Sequence, residues 1–241
     1  MRVALVTGGS RGIGAAIARR LAADGLDVAI TYARAADRAA EVVGDIEATG
    51  RRGLALRADA ADAGALAGAV EDTVRAFGRL DVVVSNAGIA PSGPLAEVTL
   101  EEVDRTLAVH ARAAFVLAQA AARHLGEGGR IITIGSSLAE RVPYAGWTLY
   151  AMSKSALTGL TKGLARDLGP RGITANLVHP GSTDTEMNPA GSPWADDERA
   201  LTALGRYCAP EDVAATVAHL AGDSGRNITG TAITVDAGTT A

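Results

Sequence analysis

The sequence is nearly without cysteine: Cys208 stands alone among 241 residues. One thiol cannot form an intrachain disulfide, so nothing in the chain argues for an oxidising compartment. Aromatic residues make up only 3%, and alanine and glycine take their place. That bias suits closely packed helices and is not the signature of disorder. No apolar run approaches the roughly 18 residues that a membrane span requires. The opening stretch Met1–Gly9 has one basic residue and a short apolar run broken by glycines, too short for a secretory signal. Positive charge is not in excess either. The formal net charge is −4, which disfavours nucleic-acid binding through phosphate neutralisation. His124, His179 and His219 lack the spacing of metal ligands. These absences predict a cytoplasmic protein that binds neither nucleic acid nor membrane and holds no metal.

What is present is alternation. Short apolar runs at Val3–Val6, Val28–Thr31, Gly53–Leu56, Asp81–Val84, Arg130–Ile134, Thr174–Val178 and Ala232–Val235 are separated by helical patterns. The helices are expected at Gly14–Ala23, Asp37–Ala48, Ala63–Phe77, Leu100–Leu125, Tyr150–Leu168 and Pro210–Ala221. The strands are continuous Val/Ile/Leu runs, as in a parallel sheet buried on both faces. The fold class is therefore α/β: one Rossmann-type doubly wound parallel sheet of about seven strands with helices on both faces. No linker divides residues 1–241, which read as a single domain. The one long irregular stretch is Pro180–Pro193, and a loop of that length in a compact domain predicts a substrate loop or lid at about 180–205.

The first strand runs into Gly8-Gly9-Ser10-Arg11-Gly12-Ile13-Gly14. Glycines at 8, 12 and 14 allow a tight turn and close approach of a pyrophosphate. The helix that follows offers free N–H groups and a partial positive charge. This predicts dinucleotide binding. The choice of cofactor is read about 20 residues further on, where an acid would grip a ribose 2′-hydroxyl. The second strand instead ends in Thr31-Tyr32-Ala33-Arg34. Arg34, and Arg11 within the glycine loop, would bind a 2′-phosphate, so NADP(H) is the expected cofactor. Asp59, with Ala60 beside it, follows the third strand and is placed to accept from an adenine amino group. Asn86-Ala87-Gly88 follows the fourth strand, at the carboxyl edge where such sheets bind ligands.

Tyr150 and Lys154 stand at i and i+4, on one face of a helix. Free tyrosine has a pKa of about 10, and a neighbouring ammonium favours the phenolate and lowers it. Ser137 lies thirteen residues upstream, just beyond a strand. From there it would hydrogen-bond a substrate oxygen and align it with Tyr150; its neighbour Ser136 is the rival for that role. Trp147, Trp194 and Met187 are candidate walls of a substrate pocket. Cys208 has no partner base and reads as a small packing residue.

With the glycine loop, Asn86-Ala87-Gly88, Ser137 and Tyr150…Lys154 in this order, the chain resembles the short-chain dehydrogenase/reductase family over its whole length. Pro180-Gly181 and Ile228-Thr229-Gly230 extend the likeness. The resemblance implies that Ser137, Tyr150 and Lys154 are catalytic, that Lys154 also holds a nicotinamide ribose, and that Ile13, Asp59, Asn86 and Thr183 or Thr185 touch the cofactor. The subtype is similar to β-ketoacyl-acyl carrier protein reductases, usually tetramers, which implies a homotetramer or homodimer acting on a small carbonyl or an acyl-carrier thioester. One position departs from the pattern. His110 stands in the fourth helix where the family usually has asparagine, a residue thought to hold a proton-relaying water, and an imidazole can do the same. His110 is therefore a candidate relay residue; the alternative is a helix histidine with a local hydrogen bond. Thr183–Ala190 also resembles the matching loop of a biofilm-dispersal protein of this family, which adds a non-enzymatic alternative: a regulator that sequesters cyclic dinucleotides.

Overall fold

The computed structural model describes all of residues 1–241. Seven strands form one sheet: β1 (Val3–Val6), β2 (Asp27–Tyr32), β3 (Gly53–Arg57), β4 (Val82–Ser85), β5 (Arg130–Ile134), β6 (Thr174–Pro180) and β7 (Ala232–Val235). Their spatial order is β3-β2-β1-β4-β5-β6-β7, and every pairing is parallel. The order reverses at β1, so the crevice between β1 and β4, outside their carboxyl ends, is where the topology places a ligand.

The continuous apolar runs follow from the two-faced burial. Successive side chains point to opposite faces. Ala4 and Val6 pack with Ile17, Leu21, Val213 and Val217, whereas Val3 and Leu5 pack with Val70, Leu117 and Leu125. The first layer holds α1 (Gly12–Ala23), α2 (Ala36–Ala48) and the late helix Pro210–Ala221. The second holds α3 (Ala63–Phe77) and the helices after β4 and β5. Only the edge strands β3 and β7 are partly open to solvent.

The stretch expected as one helix, Leu100–Leu125, is interrupted. It comprises α4 (Leu100–Leu107), a π turn at Ala108–Arg112, and α5 (Ala113–Ala121). A capping box at Thr99 and Glu102 starts α4, with each side chain satisfying the other's backbone N–H. The π turn inserts one residue into the helical repeat and rotates His110 inward. Such turns concentrate at functional sites. α6 (Thr148–Leu168) begins just before Tyr150. The irregular loop after β6 contains the short α7 (Ala195–Ala200), and α8 (Pro210–Ala221) starts with proline in its first turn. No helix is long and apolar enough to cross a membrane.

Candidate active site

The glycine loop is a cradle that side chains would fill. Gly8 and Gly12 take φ of +64° and +52°, a conformation that glycine alone enters without strain. A Cβ at Gly14 would overlap the Gly8 carbonyl and the Asn86 amide, so helix and strand meet here through bare backbone. Arg11 is the N-cap of α1, but its side chain caps nothing. The first N–H groups of the helix are thus left for an anion. Ser10 is half-buried beside them.

Asn86 ties this loop to the end of β4. Its amide donates to the carbonyls of Thr7 (2.9 Å) and Gly8 (3.2 Å), and its own N–H donates to the Thr7 hydroxyl at 2.9 Å. Ala87 N–H shares that hydroxyl. Gly88 allows close approach: a Cβ there would stand 3.3 Å from His110 Nε2 and 3.6 Å from Lys154 Nζ.

Tyr150 is half-buried. His110 meets its ring edge-on at a centroid distance of 5.6 Å, and Trp147 does so at 5.5 Å. Lys154 is buried, with Nζ 5.8 Å from the Tyr150 ring centre and donating to the Ile134 carbonyl at 3.1 Å. Burial pulls the lysine down to about 8. Burial also pushes the Tyr150 phenol above its ordinary value, opposed by a hydrogen bond from Ser136. The sequence predicts the opposite sign, a phenol made acidic by the ammonium. Here desolvation is the dominant influence on the phenol, and the ammonium donates to the Ile134 carbonyl.

Of the two serines, Ser136 is the one whose hydroxyl favours the Tyr150 phenolate, against the effect of burial. Ser136 is still extended (φ −165°, ψ 147°), and Ser137 opens the 3₁₀ turn Ser137–Ala139. A turn that begins one residue later sends the second side chain in a different direction. Ser136 is held from behind: its N–H donates to Nδ1 of the buried His179 at 3.0 Å.

The loop after β6 lies over the glycine loop. Thr185 is the nearest side chain to Gly12. Thr183 is buried, donates to the Gly181 carbonyl, and bridges to Cys208; Pro180 and Gly181 form the end of β6 and the residue after it. Glu186 pairs with Arg11 at 3.2 Å and also with Arg38. Arg38 was not singled out from sequence, although it follows Arg34 by four residues at the start of α2. Arg34 is exposed, and its positive charge adds to the lowering of the Asp59 carboxyl. Asp59 itself accepts from Ala61 N–H and Arg105, which hold its carboxyl below the usual range. Ala60 is half-buried, and Tyr32, the last residue of β2, packs on the core. Trp194 donates to Asn188 within the loop and is 51% exposed, and Met187 is 55% exposed. Trp147 packs edge-to-face with Tyr150. Cys208 is buried, and burial raises its thiol, in keeping with a packing residue.

A doubly wound sheet with a glycine cradle and a Tyr–Lys pair at one carboxyl edge defines the class: an oxidoreductase built on a dinucleotide fold. Comparison with known proteins agrees. Residues 8–240 match the family described as enoyl-(acyl carrier protein) reductase, and the chain belongs to this family of short-chain dehydrogenases/reductases. A Burkholderia cenocepacia J2315 short-chain dehydrogenase, crystallised with NADP, is 60% identical with a TM-score of 0.99, over 100% of this chain and 98% of that one. The cyclic-di-GMP-binding biofilm dispersal mediator protein of Escherichia coli K12 is 45% identical over 98% of this chain and 95% of its own. Versicolorin reductase 1 of Aspergillus parasiticus is 42% identical, with 98% and 95% covered.

Proposed function

We propose that this chain is an NADPH-dependent carbonyl reductase. The observation that carries the reading is the Tyr150 phenol, kept protonated by burial, with Ser136 and Lys154 beside it and the glycine cradle nearby. When bound, NADPH supplies hydride to the carbonyl carbon. The N–H groups at the start of α1 hold the pyrophosphate, and Lys154 has hydrogens free to bind the nicotinamide ribose. Ser136 and Tyr150 donate to the substrate oxygen, and Tyr150 releases its proton there as the alcohol forms. Ser136 thus takes the orienting role that spacing assigns to Ser137. A small ketone, diketone or sugar fits this chemistry as well as an acyl-carrier thioester. Turnover of NADPH against a panel of such carbonyls tests the reading, and no consumption with any of them overturns it.

The exposed arginines Arg11 and Arg38 supply the 2′-phosphate contact. Exposed ion pairs contribute little, so Glu186 is easily displaced by a phosphate dianion bound bidentately. Arg38→Ala is expected to raise KM for NADPH about tenfold, equal to about 1.4 kcal/mol, with KM for NADH unchanged. Parallel initial-rate series with the two cofactors check this, and an equal rise for both would contradict it.

A second reading is favoured by the E. coli relative, whose name records cyclic-di-GMP binding. In that reading the chain binds a cyclic dinucleotide as a regulator. Calorimetry with cyclic-di-GMP, run beside the turnover panel, separates the two: heat without turnover supports the regulator, and turnover without heat the reductase.

A further inference from the structure

We infer that His110 is a positioning residue: a fixed neutral imidazole that clamps the Tyr150 turn to the β4 exit loop and relays no proton. The inference deepens the reductase reading and rests on it only for its activity measurement.

The hydrogen bonds around the ring have one consistent direction. Ile89 N–H donates to His110 Nε2 at 3.1 Å. A backbone N–H cannot accept, so Nε2 carries a lone pair and the ring proton sits on Nδ1. Nδ1 lies 2.7 Å from Ser153 Oγ and donates to it. The Ser153 hydroxyl in turn donates to the Tyr150 carbonyl at 2.7 Å. The chain of donors runs from Ile89 through His110 and Ser153 to the backbone of the tyrosine, and both ring nitrogens are used. His110 is only 3% exposed, so water does not compete for them.

A relay needs the imidazole to gain a second proton or to exchange tautomers. Either event puts a proton on Nε2, facing the Ile89 N–H as donor against donor in a buried site, where an unsatisfied polar group is costly. The only charged group found to act on the ring is Lys154, on α6, which opposes protonation as burial does; together they hold His110 at about 3. Tyr150, the other titratable neighbour, meets it only through the ring edge.

The π turn explains how the ring reaches these partners. A regular helix through Ala108–Arg112 would carry position 110 elsewhere, and the inserted residue swings it between Ile89 and Ser153. One side chain therefore joins the β4 exit loop, the helix α4–α5 and the first turn of α6. Its edge also packs on the Tyr150 ring, which limits the tilt of the phenol. An asparagine amide sits on a shorter stem and offers its donor and acceptor on one carbon, so it does not reproduce the span between the two ring nitrogens.

The test is nitrogen-15 NMR of the full wild-type chain, reading the two ring nitrogens of His110 from pH 5 to 8. The expected spectrum shows a protonated Nδ1, a bare Nε2 and no titration across the window. A proton on Nε2, or a midpoint inside the window, overturns the inference. The activity arm uses His110→Asn and, should that variant fold poorly, Ser153→Ala. Both are expected to lose about 10- to 100-fold in kcat through a misplaced phenol, with KM for NADPH within about twofold and the midpoint of the pH–rate profile unmoved. A shifted midpoint in either variant would restore the relay. A chain with no turnover on any carbonyl sinks the reductase reading and leaves the spectrum to decide this one.

Discussion

Replacing Tyr150 with phenylalanine is expected to lower kcat for NADPH-driven carbonyl reduction by about 10²- to 10⁴-fold, the range for removal of a general acid. Binding of NADPH should stay within about twofold. The ring contacts survive the change, because His110 and Trp147 pack against the aromatic ring that phenylalanine keeps. What is lost is the one O–H, whose acidity Ser136 influences. Burial keeps that phenol above its ordinary value, so it is a proton donor throughout the neutral range. Steady-state rates and a fluorescence titration of NADPH on the same variant check both halves. Retention of most of the rate would remove the phenol from the chemistry.

Lys154→Met is expected to abolish turnover and to stabilise the fold. The lysine is 5% exposed, and burial lowers its pKa from 10.5 to about 8. For a cation depressed in the folded state the contribution is a penalty. It is complete below the folded pKa and is relieved as pH rises from about 8 toward the unfolded value, over which the unfolded chain binds more protons. Its size is about 3 kcal/mol, of which the lost bond to Ile134 offsets about 1. At pH 7 the variant should melt several degrees above the wild type, since about 1 kcal/mol shifts a domain of this length by roughly 2–4 °C. The gap should narrow near pH 10. Melting curves at the two pH values decide it, and a variant less stable than the wild type at pH 7 would show that the buried ammonium is no burden.

Much of this was readable from residue order. The apolar runs from Val3 to Val235 gave the strands because two-faced burial leaves no polar position for a reader to mistake. Glycines 8, 12 and 14 mark the cradle because only the absence of a side chain permits those contacts. The finer features depended on tertiary geometry. No composition signal separates a π turn at His110 from ordinary helix, since the insertion is fixed by what the ring meets across the fold. Counting thirteen residues back from Tyr150 points to Ser137, and the proposal of Ser136 in its place turns on where the 3₁₀ turn begins. Arg38 shares its site with Arg11 only through Glu186, from a loop far away in sequence. The sign of the Tyr150 shift required knowing that burial outweighs an ammonium whose Nζ lies 5.8 Å from the ring centre.

The central claim is tested most directly by label transfer. NADPH carrying deuterium at nicotinamide C4, prepared separately on each face, is incubated with the enzyme and an accepted ketone, and the alcohol is analysed by mass spectrometry. The account predicts one deuterium on the carbinol carbon from one labelled face and none from the other. An alcohol without deuterium from either face would contradict it.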